Sequence, residues 1–354
     1  MDLVDGGIDR SSIPALLNPG VAMQFDPLLL FVSNRDRVIG ITFNDQPLAI
    51  PHRLLWWHEV VNLEVPGEAI TVTYSPLTGS SLVFNRSGAG VDTFSVSRYV
   101  VDSNLVLEDE SGSLWPQLSR GARCGIRDGA DLAVVPYQEV NLGGWLSQHP
   151  DSWIVHTATE FDFLYSLYPY GDYEQNDSRF LYPVGGLDSR RPAKERVLGI
   201  PSGTGGIAVP LPVLSDLASV DNDLVWAANV KVDGEPVVVF WNSPVEGAVA
   251  YRAEANGQDL TFDVRDGERI DLETGSSWVF QGEAVSGPLD GQRLEKIADA
   301  HVSFWFAWAK FQPDTEVWSP PEPPASVLDR REPLSWSEAW EHAAHRDLEP
   351  TSRP

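Results

Sequence analysis

The most chemically versatile stretch of this chain combines a histidine, a glutamate and a turn rich in hydroxyl groups. His58 and Glu59 are adjacent in WWHEVVN at 56–62, and the turn follows as YSPLTGSS at 74–81. A histidine with a nearby carboxylate can act as a general base or a metal ligand. A turn with hydroxyls and free backbone amides can bind an oxyanion, and a serine beside a base can be a nucleophile. The catalytic candidates are therefore His58, Glu59 and Ser75.

Further polar and aromatic side chains of this region are expected to line a pocket for a small polar molecule. They are Tyr74, Thr78, Ser80, Asp102, Ser103, Trp115 and Gln117. Each has a structural alternative, because Ser-Pro-Leu-Thr-Gly is also good turn chemistry and Asp-Ser suits a polar hairpin. A tryptophan like Trp115 recurs in the second half of the chain at Trp278, which is typical of a core position.

One divalent metal ion is the candidate cofactor, with His58 as its ligand. His52 is a weaker second ligand, because its spacing from His58 places the two on different faces of one helix. The spacing also differs from the zinc motif H-E-x-x-H, whose histidines lie one helical turn apart. The alternative for His58 is a buried ring bonded to a backbone carbonyl.

Composition limits the partners of the protein. The net charge is -26, from 25 basic and 51 acidic residues, which disfavours binding to nucleic acid or to anionic membranes. An acidic, lysine-poor surface favours adaptation to concentrated salt, since salt screens the repulsion. The single cysteine excludes an internal disulfide. No apolar leader or membrane-length apolar run is visible, so the sequence predicts a cytoplasmic protein without membrane insertion.

Two parts of the chain repeat each other in order. RVIGI at 37–41 recurs as RVLGI at 196–200, and Trp145 recurs as Trp308. Gly, Pro, Thr, Val and aromatic residues favour strands and turns over long helices. The sequence therefore predicts a mainly β fold with short helices, in which two tandem related units pack about a pseudo-twofold axis and a C-terminal helix follows.

The predicted organisation has five parts. They are an N-terminal arm at 1–36, a first β repeat with the site at 37–155, an aromatic connecting segment at 156–195, a second, architectural β repeat at 196–318, and a proline-rich linker with a C-terminal helix at 319–354. The clustered aromatic rings of the connecting segment have two interpretations. They could line a ligand groove, or they could form a strap that packs against both repeats.

Differences between the repeats indicate where function lies. When the repeats are aligned on RVIGI, His58 and Glu59 correspond to Leu217 and Ala218, so the second copy lacks the polar pair. The first copy also has a longer hairpin around 97–103. We expect the site in the first copy, although drift alone produces such losses.

Several motifs resemble one family. They are WHEVVN at 57–62, TYSPLTGS at 73–80, SLW at 113–115 and KERVLG at 194–199. In this order they resemble the bacterial and archaeal domain of unknown function numbered 3179, over residues 13–318. The resemblance implies no activity. It implies cysteine at the positions of Ser75 and Thr78 in many members, and the absence of both thiols here leaves harder candidate ligands, namely His58, Glu59 and hydroxyls.

These observations lead to two hypotheses. The first is a small-ligand pocket in the first repeat, belonging to a metal-assisted enzyme or a metal-binding protein that uses His58. The second is a non-catalytic module, in which the same motifs are folding elements and the surface serves protein contacts.

Overall fold

The computed structural model describes residues 3–7, 12–65, 67–156, 164–220 and 224–321. The protein is mainly β, with four short α-helices and several sheets among these residues. The described residues up to Trp318 form one compact unit. The predicted C-terminal helix and Phe161 and Phe163 of the connecting segment lie outside the described residues.

The N-terminal arm and the first repeat contain most of the longer strands. Their elements are β1 Val4–Asp5, β2 Leu16–Leu17, β3 Val21–Ala22, β4 Arg37–Phe43, β5 Gln46–Pro51, α1 His52–His58, β6 Val60–Val65, β7 Glu68–Ser75, β8 Ser80–Asn85, β9 Phe94–Val101, β10 Asn104–Asp109, β11 Leu114–Pro116, β12 Ala133–Val134, β13 Gln138–Asn141, α2 Leu142–Gln148 and β14 Trp153–Val155. They form three sheets, with the orders β1-β9-β10-β11, β12-β8-β7-β6-β2 and β13-β4-β5-β14-β3.

The second repeat has a similar series of elements. They are β15 Arg196–Ile200, β16 Ile207–Pro210, α3 Leu211–Val220, β17 Val225–Val232, β18 Glu235–Asn242, β19 Gly247–Arg252, β20 Glu254–Ala255, β21 Gln258–Asp259, β22 Phe262–Arg265, β23 Glu268–Asp271, β24 Ser277–Trp278, β25 Ala284–Ser286, β26 His301–Phe304, α4 Trp305–Phe311 and β27 Glu316–Val317. Their sheets have the orders β26-β15-β16-β27, β17-β18-β19, β20-β21 and β22-β23-β24-β25.

The strand pairing supports the interpretation of two related units. In the first repeat β4 pairs antiparallel with β5 and β13, and β5 pairs parallel with β14. In the second repeat β15 pairs antiparallel with β16 and β26, and β16 pairs parallel with β27. The pseudo-twofold axis between the units stays a prediction.

Each unit places a helical tryptophan against a strand glycine. Trp145 of α2 covers Gly40 of β4, and Trp308 of α4 covers Gly199 of β15. A Cβ atom would lie 2.2 Å from the Trp145 ring at Gly40 and 2.1 Å from the Trp308 ring at Gly199. Close packing of the ring on the strand therefore requires glycine at both positions.

Strand β7 is buried on both faces over most of its length. Thr71 and Thr73 alternate with Val72 along β7, and all three are buried. The alternation therefore separates two buried faces rather than core from solvent, and the hydroxyls bond inside. Thr71 Oγ1 donates to Asn62 Oδ1 at 3.0 Å, and Thr73 Oγ1 donates to the carbonyl of Leu82 at 2.8 Å.

The described part of the connecting segment contacts both repeats. The Tyr168 ring packs edge-on against Trp56 of α1, with ring centroids 5.0 Å apart. The Phe180 ring packs edge-on against Phe306 of α4 at 5.1 Å. Tyr173 is fully buried and its hydroxyl donates to the carbonyl of Leu77. These contacts agree with a strap. Among the described residues, none of the helices is long and apolar enough to cross a membrane.

The paired glycines give a matched test of packing. Gly40→Ala and Gly199→Ala should each lower the free energy of unfolding by about 1–3 kcal/mol, because the added methyl group must displace an indole ring. Gly203→Ala is the control, since its Cβ would meet no atom within 4 Å. Chemical denaturation of the three variants measures the effect. A neutral Gly199→Ala beside a costly Gly40→Ala would contradict equivalent packing.

Candidate functional site

Several predicted site residues line one cavity in the first repeat, here called the Glu59 cavity. Its volume is about 250 Å³. Glu59, Ser75 and Ser103 line it, and they come from the end of α1, the end of β7 and the β9–β10 hairpin. The other lining residues are Ile13, Leu77, Val96, Ser97, Tyr99, Val100, Leu105, Tyr170, Leu181 and Tyr182. The cavity therefore combines a mainly apolar wall with a few polar groups.

The backbone of Glu59 is held in an unusual conformation. Helix α1 ends at His58, and Glu59 caps it in the left-handed region, with φ 56° and ψ −27°. Its N–H donates to the carbonyl of Leu55 at 2.9 Å, and its own carbonyl accepts from Tyr74 N at 2.8 Å. Glycine or asparagine is usual at such a cap, and other residues cost roughly 1–2 kcal/mol there. Glutamate therefore occupies a backbone conformation that is unfavourable for its side chain.

The carboxyl group of Glu59 is buried and protonated at neutral pH. The residue is 6% exposed, and burial raises the pKa of Glu59 to about 8, with the Tyr170 hydrogen bond opposing this only in part. The Tyr170 hydroxyl donates to Glu59 Oε1 at 3.3 Å. Among the described lining residues none is basic, so no cation favours the carboxylate. A neutral carboxyl can donate a hydrogen bond into the cavity.

The longer hairpin of the first repeat delivers Ser103 to the cavity. Asp102 and Ser103 form the two-residue turn between β9 and β10, with φ 48° and 64°. Ser103 is 1% exposed, and its Oγ is buried without a hydrogen-bond partner. Asp102 does not line the cavity, and its carboxylate lies 3.6 Å from Lys310 Nζ. An orphaned hydroxyl in a cavity wall is available to a ligand.

Three further predicted ligand-binding residues bond to one another rather than face the cavity. Thr78 Oγ1 lies 2.8 Å from Ser80 Oγ, which donates to Gln117 Oε1 at 2.8 Å. Asn104 Nδ2 donates to Gln117 Oε1 at 2.8 Å, and Gln117 Nε2 donates to Thr73 Oγ1 at 2.9 Å. All of these side chains are buried. This network joins the YSPLTGS turn to the β9–β10 hairpin and so supports the cavity from behind.

Trp115 occupies the core. It is fully buried, and its Nε1 donates to Asp109 Oδ2 at 2.9 Å. The equivalent Trp278 Nε1 donates to Asp271 Oδ2 at 2.9 Å. Both repeats therefore use the same tryptophan–aspartate pair, which agrees with the structural alternative for Trp115.

His58 lies outside the residues that line the cavity. It is fully buried, with Nδ1 2.6 Å from the carbonyl of Pro14 and Nε2 2.7 Å from the Tyr165 hydroxyl. Burial lowers the pKa of His58 to about 4, although the bond to Pro14 opposes this. The ring is therefore neutral at pH 7 and both nitrogens are engaged. Activation of Ser75 by His58, or metal binding, would require these bonds to break.

His52 is buried at a separate place. Its ring packs against Tyr74 with centroids 4.3 Å apart, and burial lowers the pKa of His52 to about 3. Within the described ranges, no group of three or more His, Cys, Asp or Glu side chains could hold a metal ion. A metal-ligand role for either histidine stays a prediction.

Tyr74 belongs to a partly buried group of charged residues that the sequence did not indicate. Glu139 of β13 is 4% exposed, and its Oε1 lies 3.0 Å from Arg37 Nε and 3.7 Å from Arg196 Nη1. Although burial alone would raise the pKa of Glu139, the two guanidinium groups hold it below its usual value. Tyr74 donates to Glu174 Oε1 at 3.4 Å, and Glu174 lies 3.4 Å from Arg196 Nη2. We call these residues the Glu139 cluster.

Sequence reasoning missed the lining residues from two segments. Tyr170, Leu181 and Tyr182 come from the connecting segment, where the cluster of aromatic rings was the available signal. Ser97 and Tyr99 come from β9. For these two residues the available signal was the longer hairpin of the first repeat.

The family resemblance is confirmed. The chain belongs to the family described as "Protein of unknown function (DUF3179)", whose model matches residues 10–315. No curated protein and no solved structure matches the chain.

His58→Ala should strongly destabilise the protein. The substitution leaves the Pro14 carbonyl and the Tyr165 hydroxyl without this partner and opens a void, which together cost about 3 kcal/mol or more. Tyr165→Phe removes one bond only and should cost about 1 kcal/mol. Denaturant titration of both variants provides the measurement. A nearly unchanged midpoint for His58→Ala would instead make His58 available for ligand chemistry.

Stability should depend on pH through Glu59. The folded pKa of about 8 lies above the usual glutamate value of 4.5, so folding favours the protonated form. This contribution is fully present below the unfolded pKa and is lost as pH rises through about 8. The free energy of unfolding of Glu59→Gln should therefore increase relative to that of wild type between pH 4.5 and about pH 8. The increase should be at most about 1.4 kcal/mol per pH unit.

Urea unfolding of both proteins at four pH values from 5 to about 9 measures this difference. Glu68→Gln, at an exposed position, is the control and should show no such trend. A constant difference between Glu59→Gln and wild type would contradict a protonated Glu59.

Proposed function

We propose that this member of the family binds one small, uncharged, mainly apolar molecule in the Glu59 cavity. The observation that carries the proposal is the protonated Glu59, which is buried and held at positive φ in the cavity wall. In such a site the carboxyl group donates a hydrogen bond to a carbonyl or hydroxyl oxygen of the ligand. Burial removes competing water, which strengthens that bond.

The walls restrict the chemical class of the ligand. A volume of about 250 Å³ admits a small molecule, and the apolar side chains of Leu77, Val96 and Leu105 favour an apolar body. An anion is disfavoured because no basic side chain is found among the described lining residues. The sequence predicted a small polar ligand, whereas the mainly apolar cavity wall favours a ligand that is polar at one end only.

The other polar groups have supporting roles in this proposal. Ser103 Oγ, which lacks a protein partner, offers a second hydrogen bond. Tyr170 orients the carboxyl group of Glu59 through its hydroxyl. Ser75 lines the same wall, but His58 is engaged with Pro14 and Tyr165 and is not its base in this arrangement. The proposed role of the cavity is therefore ligand binding, and this role uses neither a nucleophile nor a metal ion.

A pair of probes of similar shape tests the donor role of Glu59. Cyclohexanone offers a carbonyl oxygen, whereas methylenecyclohexane does not. Wild type should bind cyclohexanone about tenfold more tightly, a difference worth about 1.4 kcal/mol. Its affinity should fall as pH rises through about 8, because the carboxylate no longer donates. Ligand-observed NMR titration gives both affinities.

Variants at Glu59 separate the proposal from a purely structural role. Glu59→Gln keeps an N–H donor and should retain the preference for the ketone at all pH values. Glu59→Met has no donor and should lose the preference. The exposed Glu68→Gln should behave as wild type. Equal binding of the two probes by wild type, or no binding of either, would favour the non-catalytic structural module.

A further inference from the structure

A second pocket lies where the two repeats meet. Its volume is about 440 Å³. Ser147 and Gln148 of α2 contribute from the first repeat, and Asn242, Arg269 and neighbouring residues contribute from the second. Gln281 Nε2 donates to Gln148 Oε1 at 2.8 Å across this junction. Clefts between structural units are common ligand sites. We call this the Arg269 pocket.

Arg269 is a buried cation that lacks a carboxylate. It is 4% exposed, and within the described part of the chain it forms no salt bridge. Its Nη2 donates to the carbonyl of Trp241 at 2.6 Å, while its Nε is buried without a hydrogen-bond partner. Its guanidinium carbon lies 5.1 Å from the Phe240 ring centroid and 5.8 Å from that of Phe280. A buried charge without a counter-ion is costly, and an anionic ligand would remove that cost.

The corresponding position in the first repeat is apolar. Arg269 pairs with Trp278 and Val264, just as Leu107 pairs with Trp115 and Val96. Leu107 is fully buried. The first repeat therefore has an apolar side chain where the second repeat has a buried cation.

The pocket offers one acceptor that also lacks a partner. Asn242 Oδ1 is buried without a hydrogen bond. Glu268 is the one acidic residue among the described lining residues; it is exposed, and its carboxylate accepts from Ser277 Oγ at 2.9 Å. Burial lowers the pKa of Arg269 to about 10, so the guanidinium stays charged at pH 7. A matching ligand has an oxyanion and, beside it, a hydrogen-bond donor.

We propose that the Arg269 pocket binds a small carboxylate with an adjacent hydroxyl or amino group. The carboxylate accepts from Arg269 Nε, and the neighbouring donor bonds to Asn242 Oδ1. This site is independent of the Glu59 cavity and takes a ligand of opposite character. It also gives the second repeat, expected from sequence to be architectural, a binding role.

Thermal unfolding of the full chain in the presence of three probes tests the proposal. Glycolate, acetate and inorganic phosphate are titrated at constant ionic strength, with chloride as the balancing anion. Glycolate should raise the unfolding temperature of wild type in a saturable way. Its half-saturation should lie about tenfold below that of acetate, because only glycolate has the donor. Asn242→Ala should remove this difference.

Arg269→Leu is the decisive variant. It replaces the cation by the residue of the first repeat and should not respond to glycolate. The unfolding temperature of the same variant in chloride alone is the reference, because the loss of the bond to Trp241 changes its stability. Arg265→Leu, on the same hairpin but exposed, is the matched control and should respond as wild type. In ¹⁵N-arginine-labelled wild type, the Nε–Hε signal missing from Arg269→Leu should shift with glycolate.

Three results would overturn the proposal. The first is an equal response of Arg269→Leu to glycolate, which would show binding elsewhere. The second is an unshifted Arg269 signal in wild type at saturating concentrations of the probes. The third is half-saturation by phosphate below that by glycolate, which would reject a carboxylate site.

Discussion

The buried carboxylate of Glu139 contacts charged side chains of both repeats. Arg37 and Arg196 begin the equivalent strands β4 and β15, and both guanidinium groups lie within 4 Å of one oxygen of this residue. The second repeat has Val302 at the corresponding position of β26. One carboxylate thus serves two cations related by the repeat. Removing Glu139 would leave both guanidinium groups without this carboxylate, and the loss of one partner of a buried charge pair is destabilising.

The two repeats differ in the kind of ionisable group that each buries. The first repeat buries an acid without a cation and holds it neutral at Glu59. The second repeat buries a cation without an acid at Arg269. Each buried group is unfavourable for folding alone. Each also stands where the other copy has an apolar residue. Glu59 aligns in sequence with Ala218, and Arg269 corresponds by strand pairing to Leu107. The two predicted repeats therefore share the tryptophan–aspartate core pair but differ in their buried polar group.

The sequence predicted more of the fold than of the site. Strand content and short helices followed from composition, and the repeated RVIGI and RVLGI segments coincide with β4 and β15. The family that the motifs resemble is the one whose model matches residues 10–315. The sequence did not reveal which side chains are buried. Thr71 and Thr73 alternate with apolar residues, yet both face a second core. The Glu139 cluster joins residues that are far apart along the chain, so no local pattern could reveal it.

The adjacent pair His58 and Glu59 shows why sequence proximity is a poor guide to shared chemistry. His58 is the last helical residue and points to Pro14 and Tyr165, whereas the left-handed cap turns the next side chain into the cavity. One residue of the pair therefore closes the core and the other lines the pocket. Ser103, more than forty residues away in sequence, lies in the same wall as Glu59. The backbone conformation at the end of one short helix decides which polar group lines the cavity.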